Sequence, residues 1–320
     1  MLVLSNEHVI GLLPASDLIA AVEAALRVSE SGRAIVPRRL HTAWNSNTLL
    51  TMPAIAEGSL GTKMVSVVPG NAASGLPVTN GLMVLNDGDT GLPLAVMNAA
   101  ALTAVRTGAV GAVGLKYITP ANITSIGIVG CGVQGTWQAI FACAVRPVQE
   151  IFYVSRGSAS VERFTAIVHH HAPSVRITAC LNTRHLLALT NVVIAATTSA
   201  DPVLPDDSAL LEGKHFVSIG SYKPTMQELP DSVYRLAGQL VLDSEFARHE
   251  VGDAIRPVEQ GFLKETDIFP VSQLVTGQRS VDTGRTTVYK AAGMALFDLF
   301  VARALYEAAK RHHLGCEVVL

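Results

Sequence analysis

The chain has 320 residues, 49% of them hydrophobic and only 16% charged, with a formal net charge of −2. That length exceeds what one core usually fills, so two domains are expected. The near-neutral balance, without basic clusters interleaved with aromatics, argues against nucleic acid or an anionic membrane as a partner. Four cysteines (Cys131, Cys143, Cys180, Cys316) show no C-x-x-C spacing, which points away from a zinc site or a disulfide framework, and no metal is expected. The opening Met1-Leu-Val-Leu-Ser-Asn-Glu has no basic segment and reaches Glu7 and His8 early, a poor secretory signal. No apolar run of about eighteen residues suggests a membrane span. A cytoplasmic setting is therefore expected.

In chain order, residues 14–30 predict an amphipathic helix, with Leu18, Ile19, Val22 and Leu26 on one stripe and Ser16 or Asp17 as cap. Arg38 and Arg39 follow Pro37. Alternating segments come next at 41–44, 48–52 and 62–68, and a further one at 82–85 follows a Gly- and Asn-containing turn at 69–75. Short strands without intervening helices predict an antiparallel or mixed sheet. Residues 97–117 are Ala-rich and predict a helix carrying Thr103, Arg106 and Thr107.

From residue 122 the pattern changes to strand–helix alternation. Strands are expected near 126–129, 151–154, 175–178, 192–196, 215–219 and 239–242, with helices at 134–145, 161–170 and 182–189. This describes an α/β protein with a Rossmann-type doubly wound parallel sheet over 119–293, beside a second α+β domain over 1–118. The segment 287–311 predicts a last helix, with Gly315 as its stop. The triplet His169-His170-His171 ends a surface helix and reads as solvated, with no acid or His cluster nearby to share a metal.

Chemistry concentrates first at Ser125-Ile-Gly-Ile-Val-Gly130-Cys-Gly132-Val133-Gln134-Gly135. A β-like run meets glycines spaced G-x-G-x-x-G and a helix follows, the arrangement in which a dinucleotide pyrophosphate docks on a helix N-terminus. Gly130 permits the turn, Gly132 lets the phosphates approach, and Gly135 lets helix pack on strand. Cys131 within this loop is either a reactive thiol or a small residue tolerated beside the turn.

The second strand ends in Ser155-Arg156 rather than in the Asp or Glu that would take the ribose hydroxyls of NAD(H). A guanidinium suits a 2′-phosphate, so NADP(H) is expected over NAD(H), unless Arg156 is a plain surface arginine. Thr197-Thr198 and Gly220-Ser221-Tyr222 follow the fourth and fifth strands, where such sheets bind ligands, although loop residues of this kind are common. In the first domain, Lys63 lies in an apolar strand and Arg106 among small helical residues. Both must either snorkel or meet an anion. With Arg39 they suit a substrate carboxylate.

These residues carry a resemblance. Met52-Pro53-Ala54, Gly61-Thr62-Lys63, Pro69-Gly70-Asn71, Thr90-Gly91-Leu92-Pro93, Leu102-Thr103-x-x-Arg106-Thr107-Gly108-Ala109, the glycine loop, Ala196-Thr197-Thr198, Ile219-Gly220 through Glu228-Leu229, Val251-Gly252-Asp253 and Lys290-Ala-Ala-Gly293 occur in the order seen in the ornithine cyclodeaminase/μ-crystallin family. The resemblance implies a homodimer, with the N-terminal domain completed by a C-terminal helix over 294–320 and serving substrate binding and dimerisation. It implies a substrate site of Arg39, Met52, Lys63 and Arg106, with Lys63 and Tyr222 as the catalytic pair. Cofactor contacts would come from Arg106, Thr107, Gly130, Gly132, Val133, Gln134, Gly135, Ser155, Arg156, Thr197, Thr198 and Gly220.

Tyr222 departs from the cyclodeaminases, where an aspartate is expected, and a tyrosine offers a hydroxyl donor instead of a carboxylate. The activity so implied is nicotinamide-dependent oxidoreduction at a C–N bond next to a carboxylate. Reduction of cyclic imino acids such as Δ1-pyrroline-2-carboxylate, or amino-acid dehydrogenation, comes first. Cyclodeamination of ornithine and non-catalytic, NADPH-dependent ligand binding like that of μ-crystallin are the alternatives.

Overall fold

The computed structural model describes residues 1–319, the Ala72 side chain excepted. By its contacts the chain divides into two compact units, Met1–Arg106 with Met294–Leu320, and Thr107–Gly293. The sequence placed the division at 118/119 instead, the end of the helix in which it falls.

The first unit opens with β1 (Leu2–Leu4) and α1 (Asn6–Gly11), the latter capped reciprocally by Ser5 and His8. In α2 (Ala15–Glu30) the predicted stripe of Leu18, Ile19, Val22 and Leu26 is buried. Its N-cap is Pro14, without a side-chain bond, and not Ser16 or Asp17. Ser16 and Asp17 lie within the first turn, past the capping position, and the Ser16 hydroxyl donates to the Asp17 carboxylate.

An antiparallel meander follows: β2 (Leu40–Trp44), β3 (Asn47–Ala56), β4 (Ser59–Val67), β5 (Thr79–Asp87) and β6 (Pro93–Asn98). β1 joins β6 in parallel, so the sheet is mixed. β1, α1 and β6 were not foreseen. β6 runs directly into α3 (Ala99–Ile118) without a Gly or Pro break, and Asn98 Oδ1 takes the Ala101 N–H to start the helix.

Alternation along these strands sorts the side chains onto two faces. The cross-strand row Met52–Lys63–Met83–Met97 is buried, whereas the row Leu40–Thr51–Met64–Leu82 lies on the opposite, more open face.

The second unit is a parallel sheet wound with helices. Its elements are β7 (Ser125–Val129), α4 (Val133–Val145), β8 (Glu150–Val154), α5 (Ser158–His171), β9 (Arg176–Ala179), α6 (Thr183–Leu189) and β10 (Val192–Ala195), then α7 (Ser208–Leu211), β11 (His215–Ser218), α8 (Asp231–Ala237), β12 (Leu240–Leu242), α9 (Gly252–Glu259), β13 (Ile268–Pro270), α10 (Ser272–Val275) and β14 (Thr287–Lys290). The strand order is β13-β12-β14-β11-β10-β7-β8-β9, eight strands where the sequence predicted six. From β7 the chain winds outward to β8 and β9, then returns to build on β10. The switch point, where open α/β sheets bind ligands, lies between β7 and β10. The late part of α3 packs here through Gly108, Gly111 and Gly114, where any Cβ would run into Phe141, Gln138 or Tyr289.

The predicted helix over 287–311 is corrected at both ends. Thr287–Lys290 is strand β14, as its β-branched and aromatic residues suit, and α11 spans Ala295–His312 after Gly293 takes a left-handed φ of 83°. The helix stops at His313, itself left-handed, rather than at Gly315. α11 packs on α2, β3 and β4 of the first unit, and β15 (Cys316–Glu317) pairs antiparallel with β1. No helix among the described residues is long and apolar enough to cross a membrane.

Candidate active site

In the first unit, Lys63 is buried in the middle of β4, between Met52 on β3 and Met83 on β5. An ammonium there needs an anion, and α11 supplies one. Lys63 Nζ hydrogen-bonds Asp298 Oδ1 at 2.9 Å and lies 2.8 Å from Oδ2. Arg106, buried on α3, donates from Nε to the same Oδ1 at 3.0 Å. Asp298 is completely buried in the first turn of α11, where the helix dipole favours a negative charge. One carboxylate thus answers two enclosed cations, and the group keeps a net positive charge.

Burial, then the nearby Arg106 charge, push the Lys63 ammonium down to about 8, with Asp298 pulling the other way and Arg39 adding further repulsion. The half-buried Arg39 thus belongs to the same electrostatic group. Thr103 Oγ1, one turn before Arg106, is buried without a hydrogen-bond partner. Arg39, Met52, Lys63 and Arg106 are therefore brought together, with a polar atom still to be satisfied. Asp298 was missed. Its signal was a lone acid in the apolar run Leu296-Phe297-Asp298-Leu299-Phe300, which only a cationic partner explains.

In the second unit, the glycine loop turns sharply out of β7. Gly130 has φ 97°, and a Cβ at Gly135 would run into the Gly130 carbonyl oxygen. At Gly132, the N-cap of α4, a Cβ would meet nothing within 4 Å, so the backbone there is open to a ligand. Val133 is exposed at the head of the helix, and Gln134 Oε1 is buried without a hydrogen-bond partner. A turn that exposes N–H groups beside an unsatisfied acceptor fits a pyrophosphate with its ribose hydroxyls.

Ser155 closes the loop by accepting the Cys131 N–H at 3.4 Å, and Arg156 is exposed beside it at the end of β8. Thr107 is buried, and its carbonyl takes Gln138 Nε2 from α4 at 2.8 Å. Thr197, Thr198 and Gly220 stand at the exits of β10 and β11. Tyr222, by contrast, is 41% exposed, with Lys223 Nζ 5.2 Å above its ring, and it is Ser221 that turns into the interior. Cys131 is buried, which pushes its thiol up to about 12 and leaves it unreactive. The His triplet ends α5 as expected, with His171 tilted against Trp137 at 5.5 Å. Among the described residues no cluster could hold a metal.

The profile of the ornithine cyclodeaminase/mu-crystallin family matches residues 1–313. The chain belongs to this family. A Δ1-pyrroline-2-carboxylate reductase of Bacillus cereus is 32% identical over 325 residues, covering 98% of each chain. The structure of Thermococcus litoralis Δ1-pyrroline-2-carboxylate reductase with NADH and L-proline superposes with a TM-score of 0.92 at 30% identity, over 99% of this chain and 100% of that one. An archaeal alanine dehydrogenase dimer with bound NAD superposes with a TM-score of 0.90 at 27% identity, over 100% of this chain and 99% of the other.

Proposed function

We propose that the protein reduces cyclic imino acids of the Δ1-pyrroline-2-carboxylate type. Within its family it is an NAD(P)-dependent oxidoreductase acting on a C–N bond next to a carboxylate. The observation that carries the substrate class is the enclosed pair Lys63 and Arg106 sharing Asp298, a group left with net positive charge for one further anion.

A planar imino acid brings that anion and a neutral or protonated nitrogen beside it. Arg39 and Arg106 hold the carboxylate, and Met52 packs against the apolar part of the ring. Lys63 completes the anion site and holds the proton at Nζ that the imine nitrogen requires, so that the C=N bond becomes CH–NH when hydride and proton have both been added. A bound reduced nicotinamide supplies the hydride, and the glycine loop, Ser155, Thr197, Thr198 and Gly220 hold it, while positioning does much of the remaining work. Neither the exposed Tyr222 nor the inward-turned Ser221 offers the carboxylate that ornithine deamination would need for the side-chain ammonium, which favours the reductase over the cyclodeaminase.

The test is oxidation of NADPH and NADH with Δ1-pyrroline-2-carboxylate, its six-membered homologue, and keto acids with ammonia. Turnover of the cyclic imines is expected, with NADPH used in preference. Ligand binding without turnover on any of these substrates would mean a binding protein instead. Ammonia release from ornithine without net NADH would mean a cyclodeaminase. Arg156 and Ser155 support the NADP(H) preference, so Arg156→Asp is expected to shift the NADPH/NADH ratio of kcat/KM by about tenfold or more toward NADH. An unchanged ratio removes the phosphate role.

The second copy that the family resemblance implies has a face to occupy. Leu40 is 62% exposed, Met64 46% and Leu82 48% on one side of the first unit's sheet, with Ile55 at 46% along the same face. Open apolar patches on a sheet mark association surfaces. Met64→Asp is expected to convert a dimer to a monomer in light scattering at micromolar concentration, and a dimer persisting in that variant would assign the interface elsewhere. Four unpaired cysteines suit a reducing, cytoplasmic setting.

A further inference from the structure

At the ends of β10 and β11 a single side chain holds both strand exits. Glu228 is completely buried in the loop that follows β11. Its Oε1 receives the N–H and the hydroxyl of Thr197 at 2.6 and 2.8 Å. Its Oε2 receives the Ser218 hydroxyl at 2.8 Å, the Gly220 N–H at 2.6 Å and the Ser221 N–H at 3.2 Å. Every one of these partners donates, so both carboxylate oxygens are occupied as acceptors.

The bracket is itself held from behind. The N–H groups of Glu228 and Leu229 donate to Asp253, which also takes the hydroxyls of Ser221 and Tyr234. The two exits meet at van der Waals contact, since a Cβ on Gly220 would collide with the Thr197 backbone.

We propose that Glu228 is the positioning residue of the nicotinamide side of the crevice, locking the Thr197 and Gly220–Ser221 exits at one spacing and turning their N–H groups inward. The proposal rests on the assignment of the dinucleotide to this sheet. With the N–H groups of Thr197, Gly220 and Ser221 withdrawn, the exits present backbone carbonyl oxygens and the exposed Thr198 hydroxyl to a ligand. Such a rim suits the carboxamide of a nicotinamide and not a phosphate, the opposite of the N–H-rich start of α4. Glu228→Gln keeps the shape but faces an amide N–H2 toward donors, so the exits must part.

The experiment titrates wild type and Glu228→Gln with NADPH and NADH, and with the matching fragments that lack nicotinamide, 2′-phospho-ADP-ribose and ADP-ribose. Binding is read by calorimetry and folding by thermal melting. The dinucleotides are expected to bind about tenfold more weakly to the variant while the fragments keep their affinity. Unchanged dinucleotide affinity, or an equal loss for dinucleotide and fragment, overturns the positioning role. A wild-type protein that binds neither fails the dinucleotide assignment itself, and the proposal with it. If Glu228→Gln does not fold, Thr197→Val removes only the hydroxyl bond, and a loss of about threefold confined to the dinucleotides is expected. No loss there overturns the proposal equally.

Discussion

Lys63→Met is expected to lower kcat/KM for Δ1-pyrroline-2-carboxylate by about a hundredfold, or about 2.7 kcal/mol at about 1.36 kcal/mol per tenfold, and to leave cofactor affinity within a factor of about two. The substitution is chosen to keep volume, because the residue stands in a row with Met52, Met83 and Met97 and an unbranched thioether fits such company. What is lost is one charge-assisted donor in a buried site, together with the proton at Nζ. The cofactor residues all lie on other elements, which is why Kd for the dinucleotide should stay put. Steady-state kinetics with a separate binding titration decide the matter. A variant that reduces the imine at the wild-type rate ends the role of Lys63, and one that loses cofactor and imine together points to general damage.

Asp298→Asn should act in two measurable ways. Removing the anion that sits between two enclosed cations is expected to cost about 3–5 kcal/mol of stability, the usual penalty for orphaning a buried charge, and the urea midpoint reports it. The second effect is on pH. Asp298 pulls the Lys63 ammonium up against the stronger downward push of burial and of Arg106. Without the carboxylate charge, Lys63 gives up its proton at lower pH. Wild-type kcat/KM for the imine is expected to fall as pH rises through about 8, where Lys63 deprotonates. In the variant that fall should begin about one pH unit lower or more. A purely structural aspartate would change the midpoint and leave the pH profile in place. An unmoved alkaline limb therefore removes the electrostatic role even if stability drops.

How much of this was legible beforehand follows from where the signals sit. The glycine loop could be read because each glycine answers a local steric demand, and β7, β8 and α4 around it carry their own periodicity. Lys63 and Arg106 could be read because charges among apolar residues demand an explanation. Strand β13, at the sheet's edge, and strand β14, between β12 and β11, are three and four residues long in a sheet whose order is not the chain order. No periodicity announces such short runs, and Thr287–Lys290 merges into the helical pattern behind it. Glu228 stood within a quoted motif, but a glutamate after Gln227 looks like any solvated loop residue. Only the folded chain shows that the donors of Thr197, Ser218, Gly220 and Ser221 converge on it. Asp298 gave a signal that went unread, since its partners lie 235 and 192 residues away.

The helix that carries Asp298 follows Lys63 by 235 residues and Arg106 by 192 in the order of synthesis. Lys63 and Arg106 are translated long before it, and the whole dinucleotide unit is made in between. Without α11, closing the first unit would bury the Lys63 and Arg106 charges without the Asp298 carboxylate, which disfavours a finished β3–β4 face. Synthesis is therefore nested, the inner unit able to settle first and the outer one only at the end. The same aspartate that steadies the anion site thus ties closure of the first unit to the presence of α11. A chain broken off before residue 298 should remain visibly unfinished to the cell's quality control, while its inner unit could already have formed.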